Sequence, residues 1–271
     1  MKILELSNMV NKTVTELTQD LRLDSSYTTD MIQSVLHTIY NQKDMCAVSG
    51  LICLSHLNYE YHRIKGGNSL LVKNMIDKLK LSPRFNIFLN VKINHISKHG
   101  VGKYLVQLSN SDKPQEYDIV VIATPISVSD ISFSGSIEPL NEYKNNPKGI
   151  PIHVNYIRGE LNYDYFKTNY PPKILMGMEK LSPAKITAIF NFGEFHRVHS
   201  TSKLNYKEID SLNIFKKGYE IVKDYDWNFA CGKFDPILNF SDIPGYVLDS
   251  RLFYLSAHEA ITSSMEMSLI S

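Results

Sequence analysis

The segment Tyr117-Asp-Ile-Val-Val-Ile-Ala-Thr-Pro125 constrains the fold more than any other part of the chain. Ile119 to Ile122 form an unbroken apolar, β-branched run that a proline closes three residues later. A strand with one wet face alternates polar and apolar residues, whereas one covered on both faces reads as continuous. Proline cannot donate to a ladder, so it marks the strand's end. The run predicts a strand of an α/β sheet covered on both faces.

Periodicity on either side of that run divides the chain. Ile3, Leu6, Val10, Val14, Leu17 and Leu21 recur three or four residues apart and predict a helix over residues 3–23. A polar break at Asp24-Ser-Ser-Tyr27 precedes a second expected helix over 30–40, so the first sixty residues read as helical. Gly66-Gly67 opens a third helix, marked by Leu70, Leu71, Met75, Ile76 and Leu79 and closed by Ser82-Pro83. Beyond Pro83 the period changes to two, with Ile87, Leu89, Val91, Ile93 and Ile96 predicting a strand. The turn His99-Gly-Val-Gly102 then joins it to a strand over 104–108. Further strands are expected at 153–158 and 185–192, in an aromatic-rich section suited to a separate sheet, and at 246–255. A last helix is expected from residue 263.

Composition bounds the function. With 271 residues, 43% hydrophobic and 21% charged, the chain can bury a core. Chains near ~300 residues hide roughly 75% of their unfolded surface, so no metal or disulfide staple is needed. The balance of 29 Lys and Arg against 28 Asp and Glu excludes a basic nucleic-acid binder and an acidic solvating tail. Cys46, Cys53 and Cys231 are too few and scattered for a disulfide framework or a Cys-x-x-Cys metal site. Cys46 and Cys53, seven apart, fit one helical face as small buried apolar groups. No window approaches the ~18 apolar residues of a membrane-spanning helix.

Several motifs admit both a structural and a functional reading. Gly66-Gly67 before a helix is either a turn that needs positive φ or a place where unpaired N–H groups face an anion. Ala123-Thr124-Pro125, at the carboxyl end of the predicted buried strand, lies where open α/β sheets place ligands, or simply ends the strand. Ser256 with Glu259, and Ser263 with Glu266, have capping-box spacing; Glu259 is also placed to hydrogen-bond ligand hydroxyls. His196-Arg-Val-His199 has the spacing of a metal pair, yet no nearby carboxylate or cysteine completes a ligand set, and it reads as an exposed loop or strand end. No metal site and no catalytic side chain can be assigned from residue order. There is no Gly-x-Gly-x-x-Gly.

Taken together, Ile64-Lys-Gly-Gly-Asn68, Tyr117 to Pro125, Arg158-Gly-Glu-Leu-Asn162, and Asp249-Ser-Arg-Leu-Phe-Tyr-Leu255 leading into Glu259 and Ser263-Ser-Met-Glu-Met-Ser268 resemble the prenylcysteine oxidase (prenylcysteine lyase) family. These are FAD-dependent, amine-oxidase-like flavoproteins, and the order and spacing of the segments match from near residue 40 onward. The resemblance implies an α/β fold of mixed α+β character: an incomplete FAD-binding-type domain and a second, antiparallel or mixed sheet for the substrate. The corresponding divisions are N-terminal helices over 1–60, FAD-domain segments at 61–126 and 227–271, and a substrate sheet over 127–226. It implies FAD as cofactor, with Gly66, Gly67 and Asn68 supporting it, Val91 beside the adenine, and Ala123, Thr124 and Pro125 along the dinucleotide. Glu259, Met265 and Glu266 would approach the ribityl chain and isoalloxazine.

The implied reaction oxidises the prenyl carbon next to sulfur in farnesyl- or geranylgeranyl-cysteine; water then adds and the adduct collapses to a prenyl aldehyde and cysteine, and reoxidation by oxygen gives hydrogen peroxide. Its setting would be degradation of prenylated proteins in lysosomes or at membrane surfaces. Tyr156, Tyr163, Tyr165, Phe166, Phe190 and Phe192 would suit a long isoprenoid pocket, or form an ordinary sheet core. The Asn11-Lys-Thr13 and Asn239-Phe-Ser241 triplets would matter as glycosylation sites only in the secretory pathway. Two departures stand out: the family's opening strand, glycine-rich turn and helix are absent from this sequence, and Ala257 replaces an expected glycine just before Glu259. The chain is thus expected to be the C-terminal portion of such an enzyme, requiring an N-terminal FAD lobe. A non-catalytic lipid-binding or interaction module, and an oxidase of C–N bonds, are the competing expectations.

Overall fold

The computed structural model describes residues 8–55, 57, 64–145, 149–169, 173–176, 185–238, 241 and 243–264. Met265, Glu266 and Asn239 lie outside them. Helix α1 (Val14–Asp20) is capped by Thr13; of the helix expected over 3–23, residues 3–7 lie outside the described residues and 8–12 form turn and bend. The Thr13 hydroxyl accepts from the Glu16 N–H at 3.1 Å, and the Glu16 carboxylate accepts from the Thr13 N–H at 2.8 Å. The second expected helix opens one turn wider, as a π-helical segment (Tyr27–Gln33) that tightens into α2 (Ser34–Tyr40) and stops at Asn41 with φ 56°. Helix α3 (Ala47–Ser55) follows. These elements bury Val14, Ile32, Leu36, Tyr40 and Cys53 against Cys231 and Phe234, nearly two hundred positions later in the chain. Cys46 and Cys53 are both fully buried, as their spacing predicts.

Helix α4 (Asn68–Leu79) behaves differently, since none of its residues is buried. Its apolar residues Leu70, Val72, Met75 and Leu79 are all exposed.

The strands form three sheets. The first has the order β3-β2-β1-β5, with β1 (Ile93–His99) and β2 (Lys103–Leu108) as the expected hairpin. Gly100 and Gly102, at φ 55° and 75°, make its turn. β3 (Gln115–Tyr117) extends it antiparallel, and β5 (Ser132–Ser134) runs parallel to β1. The alternation from Ile87 to Val91 does not become strand: the ladder begins at Ile93, and Phe88 and Leu89 remain exposed with no described strand to pair with.

The run that opened the sequence analysis splits. Tyr117 ends β3 in the first sheet, and β4 (Val120–Ile122) joins a second, three-stranded sheet of order β11-β12-β4. The stretch expected as one strand over 246–255 is a tight hairpin, β11 (Val247–Asp249) and β12 (Leu252–Tyr254), with Arg251 at φ 65°. β4 pairs parallel with β12, Val120 opposite Leu252. Ile122 is buried, but Ile119 and Val121 are 58% and 50% exposed. β4 is an edge strand, with no described strand on its outer side, so the expected burial on both faces is corrected.

Tyr104 fastens the first two sheets together. Its ring is fully buried, and its hydroxyl lies 2.6 Å from the Ser250 carbonyl oxygen and 3.1 Å from Asp249 Oδ2, which Lys98 also meets at 2.8 Å.

The third sheet is antiparallel, of order β10-β6-β9-β8-β7. It comprises β6 (Gly149–Arg158), β7 (Ile174–Met176), β8 (Ile186–Asn191), β9 (Phe195–Ser200) and β10 (Glu220–Gly232). Helix α5 (Tyr163–Phe166) is a single turn; α6 (Tyr206–Leu212) is capped by Asn205 and Glu208 and packs Ile209 against Ile157, Ile189 and Val198 on one face of the sheet. The His196-Arg-Val-His199 motif is not an exposed loop or strand end. It runs through the middle of β9, where His196 is buried and its Nε2 lies 2.9 Å from the Gly159 carbonyl oxygen.

Candidate functional site

The two parallel strands β4 and β12 end on the same side, and each passes into a 3-10 turn, Ile126–Val128 and Leu255–Ala260. Between the turns is a narrow cleft of about 50 Å³, lined by Pro125, Phe229, Gly232, Tyr254, Ser256 and Glu259 among others. Tyr254 braces it by accepting from the Ile126 N–H at 3.3 Å. Two of the predicted residues, Pro125 and Glu259, therefore meet, although 134 positions separate them. Parallel pairing of β4 with β12 is the cause. Ala123 and Thr124 lead into the cleft and are exposed.

Glu259 does not cap a helix through Ser256: Ser256 is itself inside the 3-10 turn and buried. The Ser263–Glu266 spacing ends outside the described residues. Glu259 Oε2 is instead buried without a hydrogen-bond partner among the described residues. Burial raises its carboxyl above the ordinary range, opposed by the neighbouring His258. Gly232 brings strand β10 against the Glu259 backbone so closely that a Cβ there would stand 2.7 Å from the Glu259 carbonyl oxygen. Sequence reasoning did not single out Gly232, Phe229 or Tyr254. The available signal for the first was a glycine closing the short run Phe229-Ala-Cys231.

The other predicted residues lie elsewhere. Gly66 and Gly67 adopt φ 93° and 89°, so the turn reading holds, and the Gly67 N–H is used by the Ile64 carbonyl at 2.9 Å. With Asn68 they start α4 and do not line the cleft. Val91 lines a separate apolar groove of about 410 Å³ with Phe85, Ile87, Phe88, Ile119 and Val121 along the open edge of β4. The aromatic residues expected to form one pocket divide between faces of the third sheet. Tyr163 and Phe166 join the core beneath α6, whereas Phe190 packs on the other side, beside Arg197 and His199.

An unsatisfied, half-buried carboxyl group beside two strand-end turns fits the hydroxyl-bearing part of a flavin dinucleotide, because such a group both accepts from and, when protonated, donates to an alcohol. At about 50 Å³ the cleft holds only a fraction of such a ligand.

A putrescine oxidase double mutant from a study of its cofactor binding superposes with a TM-score of 0.63 at 12% identity, over 93% of this chain and 64% of that one. The wild-type putrescine oxidase bound to putrescine gives 0.60 at 12%, over 94% and 65%. The fold class is thus mixed α/β, shared with those putrescine oxidases. A family model described as prenylcysteine lyase matches residues 2–271, and the chain belongs to that family. Its relatives include a prenylcysteine oxidase 1-like protein of Mus musculus, 25% identical over 97% of this chain, and a farnesylcysteine lyase of Arabidopsis thaliana, 25% identical over 98%. The match spans 56% and 52% of those two proteins, about half their length.

Proposed function

We propose that this chain contributes the substrate sheet and the C-terminal cofactor contacts of an FAD-dependent oxidase that cleaves farnesyl- or geranylgeranyl-cysteine. The observation that carries the reading is the prenylcysteine lyase match along nearly the whole chain, supported by the orphaned Glu259 carboxyl at the ends of β4 and β12. Glu259 would hold the ribityl hydroxyls, Ala123, Thr124 and Pro125 would run along the dinucleotide, and Val91 would lie beside the adenine. Gly66, Gly67 and Asn68 would support the cofactor from the start of α4, with Met265 and Glu266 near the ring. When bound, FAD would supply a two-electron acceptor for the carbon next to sulfur; water would add to that carbon and furnish the aldehyde oxygen as the C–S bond breaks to release cysteine, and oxygen would take up the two electrons as hydrogen peroxide. The unpartnered Glu259 Oε2 would accept from a ligand hydroxyl, with Tyr254 and Phe229 lining that side of the cleft. The role in prenylated-protein degradation, in lysosomes or at membrane surfaces, belongs to the same proposal.

The test supplies what the match leaves uncovered. The chain is co-expressed with the unmatched portion of the Mus musculus relative, and the purified material is examined for visible flavin absorbance and for peroxide release. Flavin in the co-purified pair but little with the chain alone, and peroxide with S-farnesylcysteine but not with simple amines, are expected. A pair that takes up flavin yet oxidises amines and ignores the thioether overturns the substrate assignment. A pair that forms without flavin overturns the cofactor assignment and favours a non-catalytic module.

A further inference from the structure

The third sheet carries a row of side chains that no proposed cofactor contact uses, three of which, Tyr156, Phe190 and Phe192, are among those the family resemblance suits to an isoprenoid pocket. Register places Lys223 opposite Tyr156, Tyr156 opposite Arg197 and Arg197 opposite Phe190, so the four share one face across β10, β6, β9 and β8. The Arg197 guanidinium lies 4.4 Å from the Phe190 ring centre and 5.8 Å from that of Phe192. The Tyr156 ring meets Tyr225 edge-on at 6.0 Å, and Tyr225 stacks on Trp227 at 6.2 Å. Lys223 Nζ sits 4.7 Å over Tyr225.

Charge is distributed unevenly around this row. Asp224 and Asp226 point to the opposite face, where Lys203 pairs with both and His153 Nδ1 lies 2.7 Å from Asp226, and Arg158 at the far end is paired with Glu220. Among the described residues no carboxylate pairs with Arg197 or Lys223. Arg197 Nε is buried without a hydrogen-bond partner, and so is Nδ1 of His199 two residues on. Burying a guanidinium donor unpaired is unfavourable, while the flanking rings hold the group in one orientation.

We propose that this face is a binding subsite for an anionic amphiphile. Arg197 takes the carboxylate, Lys223 adds positive field, and the Tyr156–Tyr225–Trp227 ladder takes the apolar tail. The anion end of the subsite is separate from the Glu259 cleft, since from Tyr156 to Gly149, where β6 meets Gly232, the strand covers roughly 23 Å, while its tail end approaches the cleft: Trp227 lies opposite Ile152, roughly 10 Å along β6 from Gly149. The proposal does not depend on flavin binding.

Trp227 is the single tryptophan and ends the ladder, so its fluorescence reports occupancy in the chain as it stands. The chain is titrated with laurate, methyl laurate and dodecyltrimethylammonium below their micellar concentrations. Saturable change with laurate, at least tenfold weaker with the ester and the cation, is expected. Arg197→Met should weaken laurate at least tenfold while leaving far-UV circular dichroism unchanged, and Arg197→Lys should recover part of the loss. Equal midpoints for acid, ester and cation, or laurate binding unaltered in a folded Arg197→Met protein, would overturn the subsite. S-farnesylcysteine in place of laurate separates the sources of the carboxylate. Tighter binding than laurate assigns the subsite to the thioether substrate, and equal binding assigns it to lipid acids in general.

Discussion

At the residue scale, the consequences are those of polar groups held away from water. Burial, and secondarily the Arg197 charge, lower His199 from its ordinary value of 6.5 to about 4. A histidine whose folded value lies below its unfolded one takes up its proton on unfolding, so stability is full above about 6.5 and is lost as the pH falls toward about 4, by up to about 3 kcal/mol. Glu259 works in the opposite sense, because its carboxyl is raised in the fold. Its contribution is present at low pH and lost as the pH rises through its folded value. Urea midpoints at pH 5 and 8 for the parent chain, His199→Gln and Glu259→Gln separate the two. The first substitution should remove part of the acid destabilisation, and the second part of the alkaline one. Gly232→Ala places a methyl against the Glu259 carbonyl and should cost about 1–3 kcal/mol in the same assay. Burial raises the thiols of Cys53 and Cys231 to about 12 and about 11. Neither should react with iodoacetamide at pH 8 until urea unfolds the chain, as mass spectrometry would read.

At the element scale, α2 and α4 are both amphipathic, but burial separates them. Leu36 of α2 is fully buried, and Leu36→Ala should cost about 2–5 kcal/mol. Met75 of α4 is half exposed, and Met75→Ala should cost about 0.5 kcal/mol or less in this chain. A Met75→Ala loss as large as that of Leu36→Ala, by urea denaturation, would refute this account of α4. Elements whose signals are local were legible in the sequence: the helix after Gly66-Gly67, the hairpin around Gly100 and Gly102, and the strands at 153–158 and 185–192. Those that depend on a partner were not. Ile87, Leu89 and Val91 alternate like a strand, but strand is made by pairing, and no described neighbour pairs with them. The β-branched run ending at Pro125 signalled a strand correctly, yet its two halves joined different sheets and Val121 stayed exposed.

At the scale of the whole molecule, distant segments hold each other. The N-terminal helices share a core with Cys231 and Phe234, and Tyr104 ties the first sheet to the β11–β12 hairpin. Tyr104→Phe keeps the ring but removes the hydroxyl from Ser250 and Asp249, and should lower the unfolding free energy by about 1–3 kcal/mol. An unchanged urea midpoint would mean that packing alone joins those sheets. The sequence by itself determined the family, the absence of a Gly-x-Gly-x-x-Gly, and the residue types suited to a flavin site. Such motifs are short and local, and they survive without knowledge of their neighbours. Only the tertiary structure decided that Pro125 and Glu259 face one cleft, that Gly66 and Gly67 stand apart from it, and that Arg197 is held between rings with no carboxylate partner among the described residues. Proximity across 134 positions follows from parallel pairing of β4 with β12, and the isolation of a charge follows from which face of a sheet each residue takes. Neither is encoded in any single stretch of chain.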